Sequence, residues 1–170
     1  MRKKISIIIL LMSLISCSWK VKQTAQYYNK NKALTMSLYE NYLKISKGLP
    51  REGFSIRGKN GVELRYKDSK KKSHSVYFTG SGEFINGTSD SLNIVFFKSD
   101  LVKKFILDYE KSQFLAIDQG YDNDYVFFSY GNARKNNREY IGILITDKGE
   151  KFEIIKKIEE KVYVYETDVP

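Results

Sequence analysis

Phe54-Ser55-Ile56-Arg57-Gly58-Lys59-Asn60-Gly61-Val62-Glu63-Leu64-Arg65-Tyr66 alternates apolar and polar side chains on either side of a glycine-bearing turn. A period of two is the pattern of a strand with one buried face, and residues directly opposite in an antiparallel pair share a face. Ile56 therefore meets Leu64 and Phe54 meets Tyr66. That pairing leaves Lys59-Asn60-Gly61 as a three-residue loop, with Gly61 free to take the left-handed conformation such loops need. A two-residue Asn-Gly turn would set Ile56 against Arg65. The same logic carries the sheet onward, with Leu64 opposite Phe78, Tyr66 opposite Val76, and Ser69-Lys70-Lys71-Lys72-Ser73 as a solvated tip.

Upstream, Leu34, Leu38, Tyr42 and Ile45 recur at helical spacing over 31–47, and Gly48-Leu49-Pro50 ends the run. Downstream, Gly80-Ser81-Gly82 interrupts the alternation. Residues 92–97 are apolar on both faces and read as a central strand. Ser99 or Asp100 caps a second helix over 101–111, with Leu101, Val102, Phe105 and Tyr109 on one side. A short strand at 114–117, a polar turn at 118–124, a strand at 125–130 and an asparagine-rich basic loop at 131–138 follow. Opposing Ile145 to Phe152 and Ile143 to Ile154 closes a hairpin over Asp147-Lys148-Gly149-Glu150. Ile154, Ile155, Ile158 and Val162 fit a helix as well as a strand, and Val162-Tyr163-Val164-Tyr165 has the composition of a last strand. The expected fold is α+β. It consists of an antiparallel meander of roughly six to eight strands, with a long N-terminal helix and one shorter helix packed on one face.

The N-terminus sets the compartment. Arg2, Lys3 and Lys4 precede an apolar run, Ile5 to Ile15, of about eleven residues, and Leu14-Ile15-Ser16-Cys17 closes it. The run is too short to span a bilayer, which takes about 20 apolar residues. Its last four residues resemble the lipobox of bacterial lipoproteins. The resemblance covers residues 1–17 only. It implies a signal peptide 1–16 that is cleaved, a mature chain beginning at Cys17 with lipid on its sulfur, a tether over 17–30 and a single domain over 31–170. Extended, residues 18–30 would reach at most about 45 Å, enough for the domain to stand off the bilayer. Ser18 and Lys20 match neither acidic sorting signal of that family. The implied location is a lipid anchor in the cell membrane or the outer membrane, on the periplasmic face where an outer membrane exists.

Cleavage takes three basic residues from a chain of formal charge +9 and leaves 154 residues at +6, the size of one domain. In an exported protein that balance points to a lysine-rich solvated surface rather than to nucleic acid. A sharper reading is attraction to anionic head groups, at roughly 1 kcal/mol per basic residue near the surface. Cys17 is the single cysteine, so no intramolecular disulfide forms and stability rests on packing.

The residue inventory is poor in familiar catalytic parts. His74 is the one histidine, so a His/Cys zinc site cannot be assembled, a Ser-His-Asp triad would have to use it, and it reads as a strand-end residue. Asp118, Asp122 and Asp124 are weak candidates for a hard cation. Their spacing departs from the EF-hand pattern, and turn chemistry explains them as well. Gly80-Ser81-Gly82 lacks the lysine and the following helix of a phosphate loop. The separations of Glu63, Glu83 and Glu139, which paired-carboxylate chemistry depends on, are not legible in a sequence. Tyr125, Phe127, Tyr163 and Tyr165 would stand on an open sheet face if helices cover the other, and form the candidate ligand-binding surface; burial of the sheet on both faces is the competing reading. The reading is a membrane-anchored, non-catalytic binding module of the cell envelope that needs no cofactor. Its partners are membrane lipid through Cys17 and another envelope protein. The alternatives are a carboxylate-dependent envelope hydrolase and an immunity-type inhibitor of an envelope toxin.

Overall fold

The computed structural model describes residues 19–49, 51–58, 60–68, 70–87, 91–119, 125–132, 139–149 and 152–168. Residues 1–18, Cys17 among them, and Asp122 and Asp124 lie outside them. In chain order the elements are α1 (19–30), α2 (Lys32–Gly48), β1 (Arg51–Arg57), β2 (Gly61–Asp68), β3 (Ser73–Thr79), β4 (Phe84–Gly87), α3 (Ser91–Phe97), α4 (Asp100–Lys111), β5 (Ala116–Gln119), β6 (Tyr125–Asn132), β7 (Glu139–Thr146), β8 (Ile154–Glu159) and β9 (Val162–Asp168). The fold is α+β, with one nine-stranded antiparallel sheet in the order β4-β3-β2-β1-β5-β6-β7-β9-β8. The helices lie on one face, where Leu38, Tyr42, Ile45, Phe105 and Tyr109 pack against Phe54, Ile56, Leu64, Phe78, Phe128 and Ile143 in one core. None of the described helices is long and apolar enough to cross a membrane.

The β1–β2 register is the expected one, Phe54 against Tyr66 and Ile56 against Leu64. Among the described residues of its loop, the left-handed ones are Gly58 (φ 96) and Asn60 (φ 60), rather than Gly61. Between β2 and β3 the register differs from expectation by two residues: Leu64 meets Val76 and Tyr66 meets His74. A slip of two leaves every side chain on its own face, so burial could not choose between the registers; the turn chose. The Asp68 carboxylate accepts the backbone N–H of Lys70 at 2.8 Å and of Lys72 at 2.9 Å, and Lys71 between them is left-handed (φ 61).

Residues 19–30 are helical where an extended tether was expected. Val21, Thr24, Ala25 and Tyr28, at i, i+3, i+4 and i+7, are buried. Thr24 tolerates full burial because its Oγ1 donates to the Lys20 carbonyl at 3.0 Å. Val21 and Ala25 pack on Ile141 and Val164. The Tyr28 hydroxyl donates to Glu159, whose second oxygen receives Lys32 Nζ at 2.5 Å. One polar residue in four blurs the apolar stripe, and that is why the sequence pattern passes for a linker. Asn31 marks the break between α1 and α2. At the far end of α2, Leu49 is extended (ψ 134), as the residue before a proline must be.

Residues 92–97 belong to α3, a helix, and not to a central strand. A short apolar run does not distinguish the two, and here Phe97 is buried while Val95 is 74% exposed, an asymmetry unlike a strand buried on both faces. Residues 84–87 add the edge strand β4, and Ser99 holds the N-cap position of α4.

The C-terminal hairpin is also rearranged. β7 pairs with β9, setting Ile143 against Val164 and Ile145 against Val162, and β8 lies outside β9. β9 brings Val162 and Val164 inward and both are buried. β8 offers Lys156 and Lys157, both exposed, and charged side chains suit an edge. β7 and β8 therefore run parallel on either side of β9, and Gly149 and Phe152, from the stretch between β7 and β8, lie against the outer face of the sheet.

Candidate functional site

The placement of Gly149 and Phe152 alters the aromatic surface. Tyr125 and Phe127 on β6 and Tyr163 and Tyr165 on β9 share the face away from the helices, as expected. They do not stand open. Phe152 meets Tyr125 at 5.0 Å and Tyr165 at 5.6 Å between ring centroids, and Phe127 meets Tyr165 edge-on at 5.8 Å. Phe127 is 4% exposed and Leu144 beside it is fully buried. Gly149 sits against the Tyr163 ring so closely that a Cβ there would lie 2.6 Å from the hydroxyl. The four residues form an aromatic layer that Gly149 and Phe152 cover in part.

An open concavity lies elsewhere, along α1. Gln23, Gln26, Tyr27, Lys30 and Asn31 form one wall, and Lys111, Gln113 and Tyr130 the other, around a cleft of about 350 Å³. Tyr27 stacks on Tyr130 at 4.7 Å with ring planes 34° apart, and its edge meets Phe114 at 5.3 Å. Its hydroxyl accepts the Gln113 backbone N–H at 2.8 Å, while the Tyr130 hydroxyl donates to Gln113 Oε1 at 3.1 Å. The Tyr27 hydroxyl is pushed above its ordinary value, chiefly by burial. Lys30 is exposed and carries no ion pair among the described residues. Lys111 has Asp108 at 3.7 Å. The cleft thus presents amide and hydroxyl donors on an aromatic floor between two ammonium groups. Sequence reasoning missed it because residues 17–30 read as tether. The signal was present: Gln23, Gln26, Tyr27 and Lys30 recur at i, i+3, i+4 and i+7.

Asp118 lies 3.4 Å from Arg57, and burial raises its carboxyl above the usual range against the pull of that guanidinium. Among the described residues, no three His, Cys, Asp or Glu side chains gather as a metal site would require. Glu63 is held by Arg65 at 2.7 Å and by the Tyr77 hydroxyl, and Glu83 by Lys103. The Glu139 side chain lies outside the described residues.

His74 has a structural setting. It stacks on Tyr66 at 5.0 Å, and its Nε2 lies 3.0 Å from Asp68 Oδ2. His74, followed by the Lys72 and Lys70 amides, holds the Asp68 carboxyl below its usual value. A folded-state pKa below the unfolded one stabilises above the unfolded value and is lost as pH falls through the folded one. Asp68→Ala is expected to lower the thermal midpoint at pH 7, and the gap from wild type should close as pH falls below about 4. Asp68→Asn, which can still accept from the turn amides, should lose less. Equal midpoints for Asp68→Ala and wild type at pH 7 would remove Asp68 as the organiser of the turn.

No family model, curated protein or solved structure matches the chain.

Proposed function

We propose that the protein is a membrane-anchored cell-envelope lipoprotein whose domain acts as a non-catalytic binding module, with the α1 cleft as its recognition site. The observation that carries this reading is the lining of the cleft. Stacked tyrosines, glutamine amides and two lysines offer donors and positive charge to a ligand, and suit a polar, negatively charged group on an envelope partner. The lipobox-like Leu14-Ile15-Ser16-Cys17 supplies the anchor. Burial of two or three acyl chains holds a protein durably where one chain binds marginally.

Cross-linked recovery of the full lipoprotein from its own envelope tests both halves of this reading. One partner is expected in near-stoichiometric amount from wild type. Cys17→Ala should leave the membrane fraction, and Lys30→Glu with Lys111→Glu should remain anchored but lose the partner. A membrane fraction unchanged by Cys17→Ala defeats the anchor. Undiminished recovery with the double charge reversal defeats the cleft. Recovery of no partner with wild type turns attention to a small ligand or to carboxylate chemistry.

A further inference from the structure

The helical start of the domain has a consequence for how it meets the bilayer. Trp19, the chain's single tryptophan, is 59% exposed on the first described turn of α1. It lies two residues beyond Cys17. Whatever conformation Ser18 takes, two Cα–Cα steps span at most about 7 Å. The polar interfacial layer on each side of the hydrocarbon is itself about 5–8 Å thick. A lipid on the Cys17 sulfur therefore confines Trp19 to that layer or its immediate edge. Tryptophan is the side chain best suited to it, an apolar body with one N–H for the head groups.

The rest of α1 decides how far the contact extends. Its inward stripe, Val21, Thr24, Ala25 and Tyr28, is spent on the sheet. The opposite stripe runs Trp19, Lys22, Gln26 and Asn29, and after Trp19 it is polar and exposed. A helix lying in the interface buries an apolar face along its length; α1 has no such face. Lys22, one turn on, is exposed and without an ion pair among the described residues, at the height where anionic head groups would meet it.

We propose that the first turn of α1 is a membrane-docking surface, with Trp19 seated in the interface and Lys22 against anionic phospholipid, so that the domain is held directly on the bilayer and not on a flexible stalk. The inference rests on lipidation of Cys17. Its immediate result is that the α1 cleft lies close above the head groups, since Gln23 and Lys30 are about 6 and 16 Å along the helix from Trp19 at 1.5 Å per residue.

The test uses the full lipoprotein in vesicles of phosphatidylethanolamine and phosphatidylglycerol, with and without brominated acyl chains, and reads Trp19 emission directly. A second protein, Trp19→Phe with Val95→Trp, moves the reporter to an exposed site on α3, where Phe97 packs over Tyr66 and Phe78 in the half of the sheet away from α1. The mass of the N-terminal peptide is measured in both. With acylation present, Trp19 emission should shift to the blue and be quenched by the brominated lipid, and the Val95→Trp reporter should show neither effect. Acylation with water-like, unquenched Trp19 emission overturns the docking turn. Acylation with both reporters quenched also overturns it, because another surface then makes the contact. An unmodified N-terminal peptide defeats the anchor itself, and the proposal with it.

Discussion

Gly142→Ala lowers the stability of the domain by about 3 kcal/mol or more, the upper end of the usual range for overpacking. Gly142 lies on β7 opposite Ser129, where β6 has a register irregularity between Ser129 and Gly131. A Cβ at Gly142 would stand 2.1 Å from the Phe128 carbonyl oxygen and 2.9 Å from Cζ of the Phe127 ring. The nearer atom is backbone inside a central strand pair, so no rotamer change relieves it. The substitution must push β6 and β7 apart or slide them, and either movement disturbs Phe127 with the aromatic cluster around it. Gly61→Ala is the matched control. Nothing lies within 4 Å of its Cβ position, and reducing the entropy of the unfolded chain favours it by about 0.4–1 kcal/mol. Urea unfolding gives both values, with an unchanged m-value marking a true stability effect. A loss below about 1 kcal/mol for Gly142→Ala would mean that the β6–β7 register is not the one described.

Tyr28→Ala is the second large effect, and it bears on whether 19–30 belongs to the domain. Tyr28 is fully buried, and removal of a buried aromatic ring costs about 3–5 kcal/mol. Loss of the ring should also free α1 from the sheet, which amide hydrogen exchange over 19–30 would report. Tyr28→Phe keeps the ring and removes only the hydrogen bond to Glu159. Bonds to charged groups are worth about 1.5–3 kcal/mol. Because the Glu159 side chain is 35% exposed, the low end of that range applies. Lys32 first and Tyr28 second hold the Glu159 carboxyl below its ordinary value. Its contribution is thus present above the unfolded pKa, about 4.3, and lost as pH falls through the folded one. The gap between Tyr28→Phe and wild type should narrow on acidification below about pH 4. Near-wild-type stability for Tyr28→Ala would return 19–30 to a tether. It would also remove the rigid link by which a docked Trp19 would hold the domain on the bilayer.

The departures from the sequence pattern have physical causes. The β2–β3 register turned on Asp68, whose carboxylate closes the loop onto Lys70 and Lys72; two registers with the same faces bury the same residues. The α1 cleft was hidden because Thr24 interrupts the apolar stripe that would have marked 19–30 as helix. The aromatic residues Tyr125, Phe127, Tyr163 and Tyr165 share a face, as alternation requires, but their covering by Phe152 depends on the path from β7 to β8.

Determined by the sequence alone were the α+β class, α2, the β1–β2 pairing and the dependence on packing with one cysteine. Each is a property of neighbouring residues: a period of two or 3.6, a turn or a residue count. Only the tertiary structure decided which strand lies beside β7, whether 19–30 docks, and which aromatic surface remains open. Those outcomes are competitions between surfaces far apart in the chain. β9 displaces β8 because Val162 and Val164 fill the inner face where β8 carries exposed lysines. α1 folds because Ile141, Val164 and Glu159 converge to receive it, and no local pattern records that convergence.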